Sequence, residues 1–158
     1  MTGKGLKEYV GNAFDAAGKL KPDVKYKAGE HQYDYETDHL GRIEKFSADD
    51  LKLTARDDRL PHDPKTPGKE SGDHAGHLAG DRFGGSPELD NLVSQSSNIN
   101  LSQYKKIENE WAKALNTKPP KHVSVDVKVN YDGDSLRPSG FKVTYEIDGK
   151  ITVRNLTN

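Results

Sequence analysis

The chain has 158 residues, 32% hydrophobic and 31% charged, with a formal net charge of −1. That suits one domain with a modest core and a strongly polar surface. It has no cysteine, so disulfides and thiolate–zinc sites are excluded. No run approaches the roughly 18 apolar residues of a transmembrane helix, and Met1-Thr2-Gly3-Lys4-Gly5 lacks the apolar stretch of a secretory signal.

A near-neutral balance also excludes binding to nucleic acid through bulk basic charge, so any polyanion contact must be local. The charge is uneven. Residues 23–50 carry eight acids against four bases, whereas residues 98–121 carry five lysines against two glutamates.

Taken in chain order, residues 1–29 read as an N-terminal arm or linker. Leu6, Tyr9, Val10, Ala13 and Phe14 recur at helical spacing, which predicts a short amphipathic helix ended by Pro22. Residues 32–36 and 42–46 read as short strands around Asp38-His39-Leu40-Gly41. Residues 57–73, rich in Asp, Pro, Gly and Lys, read as a surface loop. Residues 74–97 read as mostly irregular, with a turn at Gly84-Gly85-Ser86-Pro87.

A helix is expected over about 100–116. Tyr104, Ile107, Trp111, Ala114 and Leu115 share one face, and Thr117-Lys118-Pro119-Pro120 stops it. Val123, Val125, Val127, Val129 and Tyr131 alternate with polar residues, as a half-buried strand does, and Phe141, Val143 and Tyr145 repeat the pattern. Asp148-Gly149 marks a hairpin. A three-residue loop, Ile147-Asp148-Gly149, is preferred because it pairs Glu146 with Lys150, Tyr145 with Ile151 and Val143 with Val153. There is no internal repeat. Together these elements predict an α+β domain over residues 30–158.

The chemistry concentrates in Gly72-Asp73-His74-Ala75-Gly76-His77-Leu78 and in the helix that follows. Phosphodiester hydrolysis needs a base for water, a cation on the developing negative charge, and help for the leaving oxygen. A histidine near its ordinary pKa serves as base at neutral pH, and Gly76 lets the backbone turn so that His77 projects into a cleft. Mg²⁺ prefers oxygen ligands and keeps most of its waters, so the carboxamide of Asn100 suits it.

Plainer roles stand beside these. His74 and His77 fit a zinc site with His62 or Asp73. Asn100 fits a helix N-cap with Gln103 as its partner. Glu108 fits an exposed helical glutamate, although Ala112 offers it no i,i+4 partner. Tyr104 and Trp111 fit the core better than base stacking. Lys105, Lys106 and Lys113 form a solvated face that also helps hold a polyanion.

The ordered set Gly76-His77-Leu78, Arg82-Phe83-Gly84-Gly85, Asn91-Leu92-Val93, Asn100, Tyr104, Glu108 and Trp111 resembles the DNA/RNA non-specific endonucleases of the ββα-metal, or His-Me finger, superfamily. Tyr35-Glu36-Thr37-Asp38, Gly41-Arg42 and Leu136-Arg137-Pro138 resemble the branch found at the C-termini of bacterial polymorphic toxins, including the LXG toxins of type VII secretion.

The resemblance spans roughly residues 30–156. It implies a ββα-metal nuclease domain with a mostly antiparallel sheet. It further implies His77 as general base, Asn100 as ligand of one Mg²⁺ (or Mn²⁺), and Glu108 as support for that ion's water shell. Much of the family reads Asp-Arg-Gly-His where this chain reads His74-Ala75-Gly76-His77, so the phosphate-binding arginine is missing. Arg82 or Arg42 is expected to replace it, with Lys105 also on substrate and Asp73, His74 and Asn91 behind the reacting groups.

By the same resemblance, the chain is the toxin module of a larger secreted protein. It acts on DNA in the cytoplasm of a target cell during interbacterial competition and is blocked by a cognate immunity protein. An RNase using the same site and an inactive binding module of the same fold are the alternatives.

Overall fold

In the computed structural model, which describes residues 7–55 and 60–158, the frame is a seven-stranded sheet with a smaller hairpin and one helix on one of its faces. The strands are β1 (Glu8–Tyr9), β2 (Val24–Ala28), β3 (Tyr33–Thr37), β4 (Ile43–Ala48), β5 (His74–His77), β6 (Leu92–Gln95), β7 (Val123–Tyr131), β8 (Pro138–Ile147) and β9 (Lys150–Thr157), and the helix is α1 (Tyr104–Leu115). The large sheet runs β1-β2-β3-β4-β7-β8-β9, and β5 and β6 form the hairpin. Every neighbouring pair is antiparallel except β1 and β2. The fold class is α+β with a mostly antiparallel sheet, as expected.

Alternation builds the large sheet. Val123, Val125, Val127 and Val129 of β7 point inward with Phe141, Val143 and Tyr145 of β8. On β2 to β4, Tyr26, Tyr35 and Phe46 stack in series, with ring centroids 5.2 Å apart at each step. Helix α1 lays its buried face on this layer: Trp111 meets Tyr145 edge-on at 5.8 Å, and Tyr104 meets Phe141 at 6.4 Å. Burying these large rings gives the polar chain its core. Tyr104 and Trp111 are core residues, nearly or wholly excluded from solvent. No helix among the described residues is long and apolar enough to cross a membrane.

Three expectations are corrected. First, no helix forms over the described part of residues 1–29, and Leu6 lies outside that part. Glu8–Tyr9 instead pairs in parallel with β2, and Phe14 bridges Leu20. Local side chains compete with the helix there. Asn12 accepts the Phe14 amide, and Asp15 accepts those of Ala17 and Lys19, which bends the chain into turns. The arm thus contributes two strands to the sheet.

Second, residues 74–97 hold a hairpin that the sequence did not reveal, β5 and β6, paired His74 to Gln95 through His77 to Leu92, with the stretch between them largely irregular as expected. All four residues of β6 are buried, so no polar–apolar alternation betrays the strand.

Third, the last hairpin turns on two residues. Asp148 and Gly149 both take positive φ, 46° and 87°, and Glu146 pairs with Ile151 and Ile147 with Lys150. The expected register presumed that Ile151 faces the core. It is 65% exposed on the outer face of an edge strand, where an acidic neighbour costs little. Positive φ at both turn residues then matches the twist of the strands.

The loop before β5 is irregular as expected over residues 60–73, its first residues lying outside the described part. It is not loose. Thr66 shares a hydrogen bond with Ser94 (2.7 Å), and Arg137 holds Asp73 through two bonds of 2.7 and 3.0 Å.

Candidate active site

The hairpin β5–β6 delivers its chain into α1, and a cleft of about 400 Å³ opens where β5 ends beside that helix. His77, Arg82, Asn100, Lys105 and Glu108 all line it, together with Thr54, Gly80, Asp81 and Leu101. Five residues singled out in the sequence, spread over 32 positions, therefore meet in one place. Each is brought there by a distinct local device.

His77 is the last residue of β5 and is 6% exposed. The ring of His62, from the preceding loop, meets it edge-on at 5.0 Å. Gly76 is needed one residue earlier, because a Cβ there would lie 2.0 Å from the Gln95 side chain. The glycine therefore serves close packing of the hairpin rather than a backbone turn.

Arg82 sits in a single 3₁₀ turn, Asp81–Phe83, ended by Gly84 in the left-handed conformation. Its guanidinium donates to Asn109 on the exposed side of α1. The turn is fixed from two sides: the Arg82 carbonyl accepts the Thr54 amide (2.8 Å), and the Tyr33 hydroxyl donates to the Phe83 carbonyl (2.7 Å).

Asn100 does not cap the helix. Helical backbone begins at residue 97, and Ser96 serves the start, its hydroxyl accepting the Ile99 amide (3.2 Å) and its carbonyl the Asn100 amide (3.0 Å). Ile99–Gln103 form a widened turn in which the Tyr104 amide reaches back five residues to the Ile99 carbonyl. Such turns re-aim side chains and gather at functional sites. The Asn100 amide nitrogen donates to His74 Nδ1 at 2.9 Å.

Glu108 lies two turns further along α1, on the side that faces the Gly80 backbone. A Cβ on Gly80 would fall 2.3 Å from its Oε2. Tyr104, between Asn100 and Glu108, donates to the Leu78 carbonyl (2.6 Å) and ties the helix to the end of β5.

The remaining expected residues stand outside the cleft. Arg42 does not line it: its guanidinium is held by Asp38 (2.7 Å) and by the carbonyls of Gly133 and Ser135, over the Tyr131 ring. Asp73 is bound to Arg137, and that guanidinium holds its carboxyl below the usual carboxylate range. Asn91 is fully buried and fully used. It accepts from the Tyr35 hydroxyl (2.6 Å) and the Ala79 amide (2.9 Å), and donates to the Ala79 and Ser86 carbonyls. It brackets the segment between the two strands onto the large sheet.

Thr54, Gly80, Asp81 and Leu101 were not singled out from the sequence. Asp81 carried a signal, since it adjoins Arg82, and Gly80 lies one residue before it. Thr54 carried none, because tertiary folding alone brings it in.

The donors present fit a mostly hydrated hard cation. The cleft offers one carboxamide, Asn100, and two carboxylates, Asp81 and Glu108, and the described residues contain no group of three or more His, Asp or Glu arranged to hold a metal. The zinc set of His62, Asp73, His74 and His77 therefore does not assemble, its aspartate being taken by Arg137.

The hairpin feeds a helix, and a histidine, an asparagine, a glutamate and two cations surround one polar cleft in an α+β fold. The DNA/RNA non-specific endonuclease family matches residues 22–149, and the chain belongs to that family. It is similar to the type VII secretion system protein EssD of Staphylococcus aureus strains USA300 and NCTC 8325, at 40% identity over 149 residues. The match covers 89% of this chain but only 24% of EssD, so the chain spans about a quarter of that relative. Among solved structures it is similar to Sda1 nuclease with a bound zinc ion. The TM-score there is 0.50 and the identity 26%, covering 55% of this chain and 39% of the other.

Proposed function

We propose that this chain hydrolyses internal phosphodiester bonds of DNA with one bound Mg²⁺ or Mn²⁺, as the toxin module of a longer secreted protein. The observation that carries the proposal is the convergence of His77, Asn100, Glu108, Arg82 and Lys105 on a single cleft.

His77 Nδ1 or Nε2 takes the proton of the attacking water. Asn100 would offer its carboxamide oxygen to the metal, and Glu108 would accept hydrogen bonds from water held there. When bound, the metal would supply positive charge to offset the negative charge that develops during hydrolysis. Arg82 takes the place of the arginine that much of the family carries two residues before its histidine, gripping a phosphate as a planar fork, and Lys105 adds a point charge. Attack in line with the leaving 3′-oxygen leaves a 5′-phosphate end.

The likeness to a type VII secretion system protein supports secretion within a larger chain; on this reading the module acts in the cytoplasm of a target cell and is blocked by a cognate immunity protein in the producer. An acidic inhibitor seated on the Arg82 and Lys105 side of the cleft is a physical way to provide the block.

The test is plasmid nicking with Mg²⁺, with EDTA, and with His77→Ala, alongside total RNA. Mg²⁺-dependent nicking that both EDTA and His77→Ala abolish is expected. Activity that survives both removes the mechanism, and cleavage of RNA alone reassigns the substrate.

A further inference from the structure

His74 is one of two residues, with Ala75, that set this chain apart from the Asp-Arg-Gly-His pattern, and it touches the proposed metal ligand directly. A carboxamide has two unlike ends of nearly equal shape. Only the oxygen binds a hard cation, so a side chain free to rotate by 180° about its last bond would present the wrong end part of the time.

Asn100 needs an outside tether for a second reason. It sits in the widened turn, where the backbone departs from regular helix. The tether is at hand: its amide nitrogen donates to His74 Nδ1 at 2.9 Å. An amide nitrogen only donates, so Nδ1 must carry the lone pair and the imidazole proton must lie on Nε2. The Asn100 oxygen is then turned away from His74.

His74 is itself rigidly held. Its backbone pairs with Gln95 across the hairpin. The preceding residue, Asp73, is 4% exposed at its side chain and forked onto Arg137 with bonds of 2.7 and 3.0 Å. The ion pair, the strand and the imidazole form a continuous support that ends on the Asn100 amide. The family's aspartate would also offer an acceptor from this strand position, so the exchange of residue type keeps the one property that the support requires.

We infer that His74 is a positioning residue that fixes the Asn100 carboxamide with its oxygen toward the cation. The inference rests on Asn100 being the metal ligand, as proposed above.

The test is Mn²⁺ binding in the absence of nucleic acid, followed by water-proton relaxation, for the parent, His74→Ala, His74→Phe, His74→Asp and Asn100→Ala. Circular dichroism accompanies each variant to establish that it is folded. Removing an outer partner of a ligand typically weakens metal binding by roughly 10- to 100-fold. His74→Ala and His74→Phe are expected to show that loss, and His74→Asp, which restores an acceptor, is expected to recover most of it. Parent-like Mn²⁺ affinity in both His74→Ala and His74→Phe overturns the inference, as does His74→Asp binding no better than His74→Ala. Asn100→Ala separates the two levels: if it binds Mn²⁺ like the parent, Asn100 is not the ligand and the proposed site itself fails.

Discussion

His77 and Glu108 reach the cleft from different elements, and two glycines make room for the packing around them. Gly80 is the more diagnostic. Its backbone is extended, with φ of −61°, so alanine is tolerated conformationally. The only clash below 3 Å is with the flexible end of Glu108, and Phe83 is next at 3.5 Å. Gly80→Ala should therefore leave the melting temperature nearly unchanged, a cost of about 1 kcal/mol or less. The displaced carboxylate should lower the nicking rate by about 10- to 100-fold. Unchanged activity in a folded Gly80→Ala protein would remove Glu108 from the chemistry. The candidate residues were legible because nuclease chemistry needs few side-chain types, and His77, Asn100 and Glu108 are those types in a recognisable order. The demotion of Arg42 was not legible. Its partners Asp38, Gly133 and Ser135 lie up to 93 positions away, and sequence carries no trace of such carbonyls.

At the scale of elements, the strongly periodic ones were readable: the alternating valines of β7, the β8 strand and the apolar face of α1. The elements that carry the site were harder. β5 and β6 are four residues each and lack alternation, since both of their faces are covered, one by the 60–73 loop and the other by the helix start. The loop is held to the start of β8 through Asp73 and Arg137. The Asp73 carboxyl has a folded pKa below its ordinary 3.8, chiefly because Arg137 bonds its charged form. The sign follows directly: the stabilisation is in full force well above pH 3.8 and fades as pH falls through the lower folded value. Asp73→Asn should thus lose about 1–3 kcal/mol at pH 7, read as a lower urea midpoint. The gap from the parent should narrow at successive pH values below 3.8. A gap that stays constant on acidification would mean that the ion pair contributes nothing.

On the scale of the whole molecule, a net charge of −1 coexists with a cleft that gathers Arg82 and Lys105. Few phosphates can be neutralised there. Binding of duplex DNA by His77→Ala, which should hold substrate without cutting, is expected to weaken with salt along a shallow slope of about −2 to −4 in log K against log salt. A slope near −8 would reveal a broad basic track that the cleft does not contain.

The sequence by itself determined which chemistry is available and which faces are buried. Residue types are written in the chain, and local periodicity reports the side that leaves water. It could not decide the register of the last hairpin, the fate of the N-terminal arm, or which of two arginines reaches the cleft. Those outcomes depend on pairing between segments far apart in the chain. At the edge strand, solvent on one face made the Glu146–Ile151 pair harmless. At the N-terminus, β2 offered Glu8–Tyr9 a partner. At the site, the fold set the His74 imidazole 2.9 Å from the Asn100 amide, and a hydrogen bond between residues 26 positions apart exists only in three dimensions.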